Sequence, residues 1–155
     1  MDDLLALDSQ ICFSLYAANR AVTSRYRPLL AELGLTYPQY LVMLVLWERA
    51  RANQPTRVSD LGTRLRLDSG TLTPLLKRLA LRGLIHRERS RDDERVVTIS
   101  LTGQGAGLRE RAALVPQKLL CGLDVSPERL LALKHELNAV LKAIEVQGVG
   151  EEPSV

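Results

Sequence analysis

The sequence predicts a mainly α-helical fold carrying one small β-hairpin, on three observations. Apolar residues recur at helical spacing through most of the chain; two short helical stretches, about 58–67 and 68–83, follow one another across a tight turn; and the polar run SRDDE (90–94) separates two strand-like stretches. Two short helices joined this way read as a helix-turn-helix, and a hairpin after it reads as a wing. The 155 residues suffice for one domain, or one domain plus an oligomerisation element.

Leu4, Ile11, Leu15, Ala18, Val22 and Leu29 trace a first long helix from about Leu4 to Leu33, kinked at Pro28 and stopped by Gly34. Thr36 caps a second helix from about Tyr37, with Pro38 tolerated in its first turn; the run Tyr40 to Trp47 is apolar on nearly every side, as in a buried helix. After the loop RARANQPT, residues 58–67 form a short helix, and LDSGTLTPLLKRLALRGL forms another that ends at Gly83. LIHRER and RVVTISLT are the hairpin strands, the second alternating through Val97, Ile99 and Leu101. Helix resumes from Gly103 to about Leu120. Ser126-Pro127-Glu128 then opens a last helix that runs to about Val146. Along it Leu130, Leu133, Leu137, Val140 and Ile144 alternate three- and four-residue steps, a coiled-coil-like seam that either a partner subunit or the monomer's own core can bury. Residues 148–155 have no apolar periodicity and are expected to be a disordered tail.

A net charge of +3 permits a polyanionic partner without demanding one. The acidic start and the lack of an apolar run near the roughly 18 residues of a span predict neither signal peptide nor membrane helix, and a cytoplasmic protein. In that reducing compartment Cys12 and Cys121 are read as reactive thiols or buried apolar residues, not as a constitutive disulfide. With His86 and His135 they show no C-x-x-C or H-x-x-x-H spacing, so no metal and no cofactor is expected. His86 is read as a wing-base or phosphate contact and His135 as a surface residue.

A helix that reads a major groove presents short polar side chains and cations near its N-terminal end. DSGTLTPLLKR does so: Asp68 or Ser69 caps, Ser69, Thr71 and Thr73 face base edges or phosphates, and Lys77 and Arg78 face phosphates. Leu72, Leu75, Leu76 and Leu79 make the packed face, and Pro74 is expected in the helix's first turn. In the hairpin, Arg89, Arg91 and Arg95 stand where cations can enter a minor groove. Taken alone, their mixture with Glu88, Asp92, Asp93 and Glu94 reads as a solvated surface.

LDSGTLTPLLKRL followed by GLIHRERSRDDERVVTISLT resembles the winged-helix repressors of the multiple antibiotic resistance regulator (MarR) family. Asp93-Glu94-Arg95 is similar to that family's Asp-x-Arg motif, in which the arginine enters the minor groove and the aspartate holds the wing. The resemblance implies an obligate homodimer on near-palindromic double-stranded operator DNA. It assigns residues 1–36 and 104–147 as dimerisation helices around a winged helix-turn-helix domain at 37–103.

All six aromatic residues, Phe13, Tyr16, Tyr26, Tyr37, Tyr40 and Trp47, fall in the first third of the chain. Phe13 and Trp47 are read as ordinary packing between the first two helices. The tyrosines carry phenols that need partners when buried and can donate to a thiolate. Cys12 and Tyr16 are one helical turn apart, but Tyr26 lies roughly 21 Å along the helix from Cys12. A site containing both requires a broken helix or a second subunit.

QICFSLYAANR, SRYRPLL and LTYPQYL resemble the organic hydroperoxide resistance regulators, the peroxide-sensing branch of the family. The resemblance implies that organic hydroperoxide oxidises Cys12, that Tyr26 and Tyr37 of the opposite subunit hydrogen-bond its sulfur, and that Tyr16 joins the site. The chemistry is attack of a thiolate on a peroxide oxygen to give a sulfenic acid. No lysine or arginine lies one turn from Cys12, and Asp8 one turn back opposes an anion. The phenols must then do most of the stabilising, helped by Arg20 or a partner residue. Read alone, Cys121 is a buried structural cysteine. In two-cysteine members of the branch, a cysteine in this region of the other subunit condenses with the sulfenate, and the intersubunit disulfide reorients the winged domains; without it a small thiol completes the switch. The expected protein is therefore a redox-sensing repressor and not an enzyme. A repressor responding to a reversible ligand is the alternative, and a thiol peroxidase ranks last because it has no use for a DNA-reading wing.

Overall fold

The computed structural model describes residues 3–148, apart from the side chains of residues 147 and 148, and the expected tail from residue 149 onward lies outside the described residues. The chain forms two compact units that divide after Leu119. A 3-10 turn (Leu7–Ser9) precedes α1 (Ile11–Ala31), α2 (Tyr37–Arg51), β1 (Thr56–Arg57), α3 (Val58–Leu65), α4 (Ser69–Leu81), β2 (Ile85–Arg89), β3 (Val97–Leu101), α5 (Gly103–Ala112) and α6 (Val115–Leu120); α7 (Pro127–Gly148) belongs to the second unit.

The helix starts follow the chemistry of their caps. Gln39 N–H donates to Thr36 Oγ1 at 3.4 Å while Thr36 N–H donates to Gln39 Oε1 at 3.0 Å, a reciprocal box that opens α2. Asp68 accepts from the Thr71 amide at 2.7 Å and opens α4. Thr102 accepts from the Gly105 amide at 2.9 Å and donates to the Gly83 carbonyl at 2.6 Å, so one hydroxyl starts α5 and ties it to the turn after α4. In the core, Val42, Met43 and Leu46 of α2 belong to one cluster with Leu61 of α3, Leu72, Leu76 and Leu79 of α4, and Leu84, Ile85 and Ile99 of the wing. Each such leucine contributes about 1.5–3 kcal/mol by leaving water. Trp47 is buried, and its indole N–H donates to the Gly105 carbonyl at 2.9 Å.

Several expectations are corrected. The first α-helix begins at Ile11, not Leu4, because Gln10 is extended (φ −91°, ψ 106°) and Leu4, Leu5 and Leu7 are exposed, without the packing that sustains a short helix. Asp8 is therefore not one helical turn behind Cys12. Pro74 is the sixth residue of α4, outside its first turn; Asp68 sets the start so early that the missing N–H falls opposite the exposed Gly70 carbonyl. The stretch 103–120 is two helices, since Pro116 has no N–H for the Ala112 carbonyl and the backbone turns at Ala113–Leu114. The hairpin of β2 and β3 forms as expected, with Ile85 opposite Leu101, and β1 adds a third antiparallel strand to give the order β1-β3-β2, with Thr56 opposite Ile99. Phe13 is 39% exposed rather than packed. Leu44 also reaches solvent, although the run Tyr40 to Trp47 is otherwise buried or half-buried as expected.

Candidate functional site

Cys12 is the second residue of α1 and is exposed. The corrected helix start places it in the first turn, at the positive end of the helix dipole, where negative charge is favoured. Tyr16 follows one turn later and Arg20 another turn on. Arg20 Nη1 donates to the Tyr16 hydroxyl oxygen at 3.1 Å, and its guanidinium carbon lies 5.5 Å from the ring centre. This stripe of α1 thus carries a thiol, a phenol and a guanidinium that holds the phenol.

Tyr26 lies further along the same continuous helix, roughly 21 Å from Cys12 by helical rise. Its ring packs 4.8 Å from that of Tyr37 and 5.8 Å from that of Tyr40, both on α2. Burial, reinforced by Tyr37 and Tyr40, pushes the Tyr26 phenol up to about 12, and burial likewise raises that of Tyr40. Both therefore stay protonated near neutrality and remain hydrogen-bond donors. A single chain brings Tyr26, Tyr37 and Tyr40 together and, separately, Cys12, Tyr16 and Arg20. It does not join the two groups.

Cys121 is exposed in the turn after α6, next to Gly122, whose φ is +77°, so it is not a core residue. Among the described residues, no three His, Cys, Asp or Glu side chains converge as a metal site, and no helix is long and apolar enough to cross a membrane.

Between α3, the start of α4 and the wing runs a groove of about 800 Å³. Arg57, Arg66, Arg87, Arg89 and Arg95 line it beside Ser69 and Thr73, and Asp68 is its one carboxylate. That carboxyl is held below its ordinary range by the Thr71 amide it accepts from, with the Thr71 hydroxyl adding at 3.2 Å. Thr73 donates its hydroxyl to the Ser69 carbonyl at 2.7 Å, which leaves its oxygen outward as an acceptor. At the wing tip, Asp93 accepts from the Arg95 amide at 3.0 Å, and Ser90 Oγ accepts from the amides of Asp92 and Asp93 at 3.2 and 3.4 Å. These bonds fix the turn from which the Arg95 side chain enters the groove. Lys77, Arg78 and Arg91 are exposed but stand outside the groove lining.

Residues 24–111 match the family described as transcriptional regulator SarA/Rot. The chain is 47% identical, over 92% of its length and 94% of the relative's, to the organic hydroperoxide resistance transcriptional regulator of Bacillus subtilis. This chain is a MarR-family regulator of the organic hydroperoxide resistance type. The regulator's fold is close to that of reduced AbfR bound to DNA, with a TM-score of 0.77 at 36% identity over 89% and 94% of the two chains; AbfR comes from Staphylococcus epidermidis. AbfR has also been solved with a disulfide formed, at a TM-score of 0.62 and 36% identity over 87% and 92%. A MarR variant from E. coli with operator DNA matches at a TM-score of 0.75 and 25% identity over 90% and 99%. The curated relatives are transcriptional regulators, not enzymes.

In this MarR-family regulator, sequence reasoning overlooked Arg57, Arg66, Arg87 and Tyr40 as site residues. Arg57 sits on a strand of two residues, too short to leave an alternation pattern. Arg66 takes a left-handed conformation (φ 54°) that turns the chain between α3 and α4, and only the run of arginines at 57, 64 and 66 hinted at a basic border. Tyr40 reads as core, and it is core, but its ring also completes the tyrosine cluster.

Proposed function

We propose that this regulator is a homodimeric repressor that binds double-stranded operator DNA and releases it when an organic hydroperoxide oxidises Cys12. The observation that carries this reading is the separation of Cys12 from Tyr26 and Tyr37 on and beside one continuous helix, which makes a second copy the source of the missing phenols. Exposed apolar residues on α1 (Ile11, Leu15, Val22) and α7 (Leu133, Leu137, Val140, Ile144) support pairing of 1–36 and 104–147 around the winged helix at 37–103. Ser69, Thr71 and Thr73 would face base edges or phosphates, Lys77 and Arg78 phosphates, and Arg89, Arg91 and Arg95 the minor groove, with Asp93 holding the wing.

Chemically, the Cys12 thiolate attacks the terminal peroxide oxygen; an S–O bond forms, the O–O bond breaks, and the alkoxide takes a proton to leave as alcohol. Tyr16, positioned by Arg20, and Tyr26 and Tyr37 from the partner donate to the sulfur. The partner's Cys121 thiol then attacks the sulfenic sulfur, forming a disulfide and releasing water. That AbfR has been solved both reduced on DNA and with a disulfide formed supports such a cycle.

The test is non-reducing electrophoresis and intact mass after stoichiometric organic hydroperoxide, with operator binding followed in parallel, on wild type, Cys12→Ser and Cys121→Ser. A covalent dimer that needs both cysteines and accompanies release is expected. Unchanged mass and binding would sink the peroxide reading. One feature favours a ligand-responsive regulator instead, a cavity of about 470 Å³ between α2 and α5 lined by Tyr40, Leu44, Trp47 and Pro116 with Arg51 and Arg109. On that reading Cys12→Ser keeps its response.

A further inference from the structure

We propose that Arg82 is the positioning residue through which movement of the sensing helix α1 reaches the DNA-reading helix α4, an inference that rests on the redox reading above. Arg82 is the C-terminal cap of α4. Its guanidinium donates to the carbonyl of Gly34, and to that of Leu33 at 3.3 Å. Both carbonyls belong to the turn that ends α1. The amides of that turn bond back into the helix, Leu33 and Leu35 to the Leu30 carbonyl at 3.0 Å and Gly34 to Ala31 at 2.9 Å. The carbonyls beyond them are left to outside donors. Arg111 of α5 takes the third, the Glu32 carbonyl, at 2.6 Å.

Gly34 closes the turn with a φ of +64°, which glycine adopts without strain, and its lack of a Cβ leaves room for the Arg82 fork. Apolar contacts between helices slide at little cost, whereas a planar cation bonded to two carbonyls fixes both direction and distance. Helix α4 is rigid and about 20 Å long, so a shift at its Arg82 end is carried to the Ser69 end at the arginine-lined groove. Arg111 holds the same turn from α5 and, among the described residues, carries no bond of its own to α4, which α5 reaches through the Thr102 bond to the Gly83 carbonyl. It is the comparison that separates coupling from simple anchoring of the turn.

Operator affinity is measured for the reduced and hydroperoxide-treated forms of wild type, Arg82→Met, Arg82→Lys and Arg111→Met, with hydrogen exchange at residues 33–35 in the presence and absence of operator. The lysine variant keeps a cation at the helix end and guards against loss of folding. Both Arg82 variants should bind operator when reduced much as wild type does, while their loss of affinity on oxidation shrinks roughly fivefold or more. Arg111→Met should respond like wild type. Because coupling is reciprocal, operator should alter exchange at 33–35 in wild type and not in Arg82→Lys. An undiminished oxidative response in Arg82→Lys, or an equal loss in Arg111→Met, overturns the coupling. If wild type itself keeps its operator after oxidation, the redox reading falls, and the exchange comparison alone then judges Arg82: an operator effect at 33–35 that survives in Arg82→Lys overturns it.

Discussion

Arg57 provides the sharpest test of the DNA-binding face, because no motif in the sequence selects it and the fold brings it into the groove. Five arginines line that groove, and the proposed two-fold dimer would present two such grooves. If every guanidinium neutralises one phosphate charge, the two grooves together contribute about −9 to the slope of log affinity against log salt, at about 0.9 per contact, and Lys77 and Arg78 add to it. Arg57→Ala removes one contact per subunit, so the slope should become less negative by about 1.8. Over a fourfold rise in salt the variant should then lose roughly tenfold less affinity than wild type. Fluorescence anisotropy of a labelled operator duplex, titrated at several salt concentrations, reads this directly. Arg87→Ala should behave alike, and Arg109→Ala, whose residue lines a different cavity, should leave the slope alone. Slopes for Arg57→Ala and Arg87→Ala that match wild type would refute the assignment of the groove to the phosphate backbone.

Gly105 is buried where a Cβ would overlap the Leu84 backbone carbonyl, and no rotamer change can relieve that clash. Gly105→Ala should cost about 3 kcal/mol or more in denaturant unfolding; a loss below about 0.5 kcal/mol would show that α5 can shift freely. Folded Tyr26 holds its proton to about 12, whereas an unfolded tyrosine releases it near 10, so its contribution is full below pH 10 and is lost as pH climbs from 10 towards 12. Discounted for solvent screening of a half-buried group, the decline is on the order of 1 kcal/mol, and Tyr26→Phe should flatten the urea stability profile in that window. On α7, Leu137 is 40% exposed in a single chain. If the seam is the dimer contact, it buries the two-fifths of Leu137 still exposed, so Leu137→Lys loses about 0.6–1.2 kcal/mol of apolar burial in each subunit, and sedimentation should show a dimer weakened roughly tenfold or more.

The DNA-reading half was legible because its signals are local. Thr36 and Asp68 announce helix starts through side-chain geometry that a few residues specify, and the alternation through Ile99 needs no knowledge of the rest of the chain. What escaped was set by distant partners. Thr56 and Arg57 become a strand only because Ile99 and Thr98 lie opposite them. Pro74 was misplaced because the proline looked like the stronger punctuation, while the Asp68 bond to Thr71 fixed the start of α4. In the sensing half the helical spacing of Cys12 and Tyr26 already implied their separation. The stacking of Tyr26 on Tyr37 and Tyr40 depended on how α2 folds back, which periodicity does not encode.

The proposed cycle must also supply enough free energy to empty an operator. Moving a two-state equilibrium from 1:99 to 99:1 takes about 5.5 kcal/mol of differential stabilisation between the DNA-bound and released arrangements. Two equivalent sites per dimer would share that requirement, so that each disulfide has to favour the released arrangement by about 2.8 kcal/mol. The two-fold dimer proposed above would provide those two sites, since each α1 would place its thiol against the phenols of its neighbour. A dimer assembled from one wild-type and one Cys12→Ser chain should consequently release operator only in part after hydroperoxide. Anisotropy on affinity-purified mixed dimers measures this, and complete release by a singly crosslinked dimer would show that the disulfide acts by some larger lever than the constraint it places on the pair.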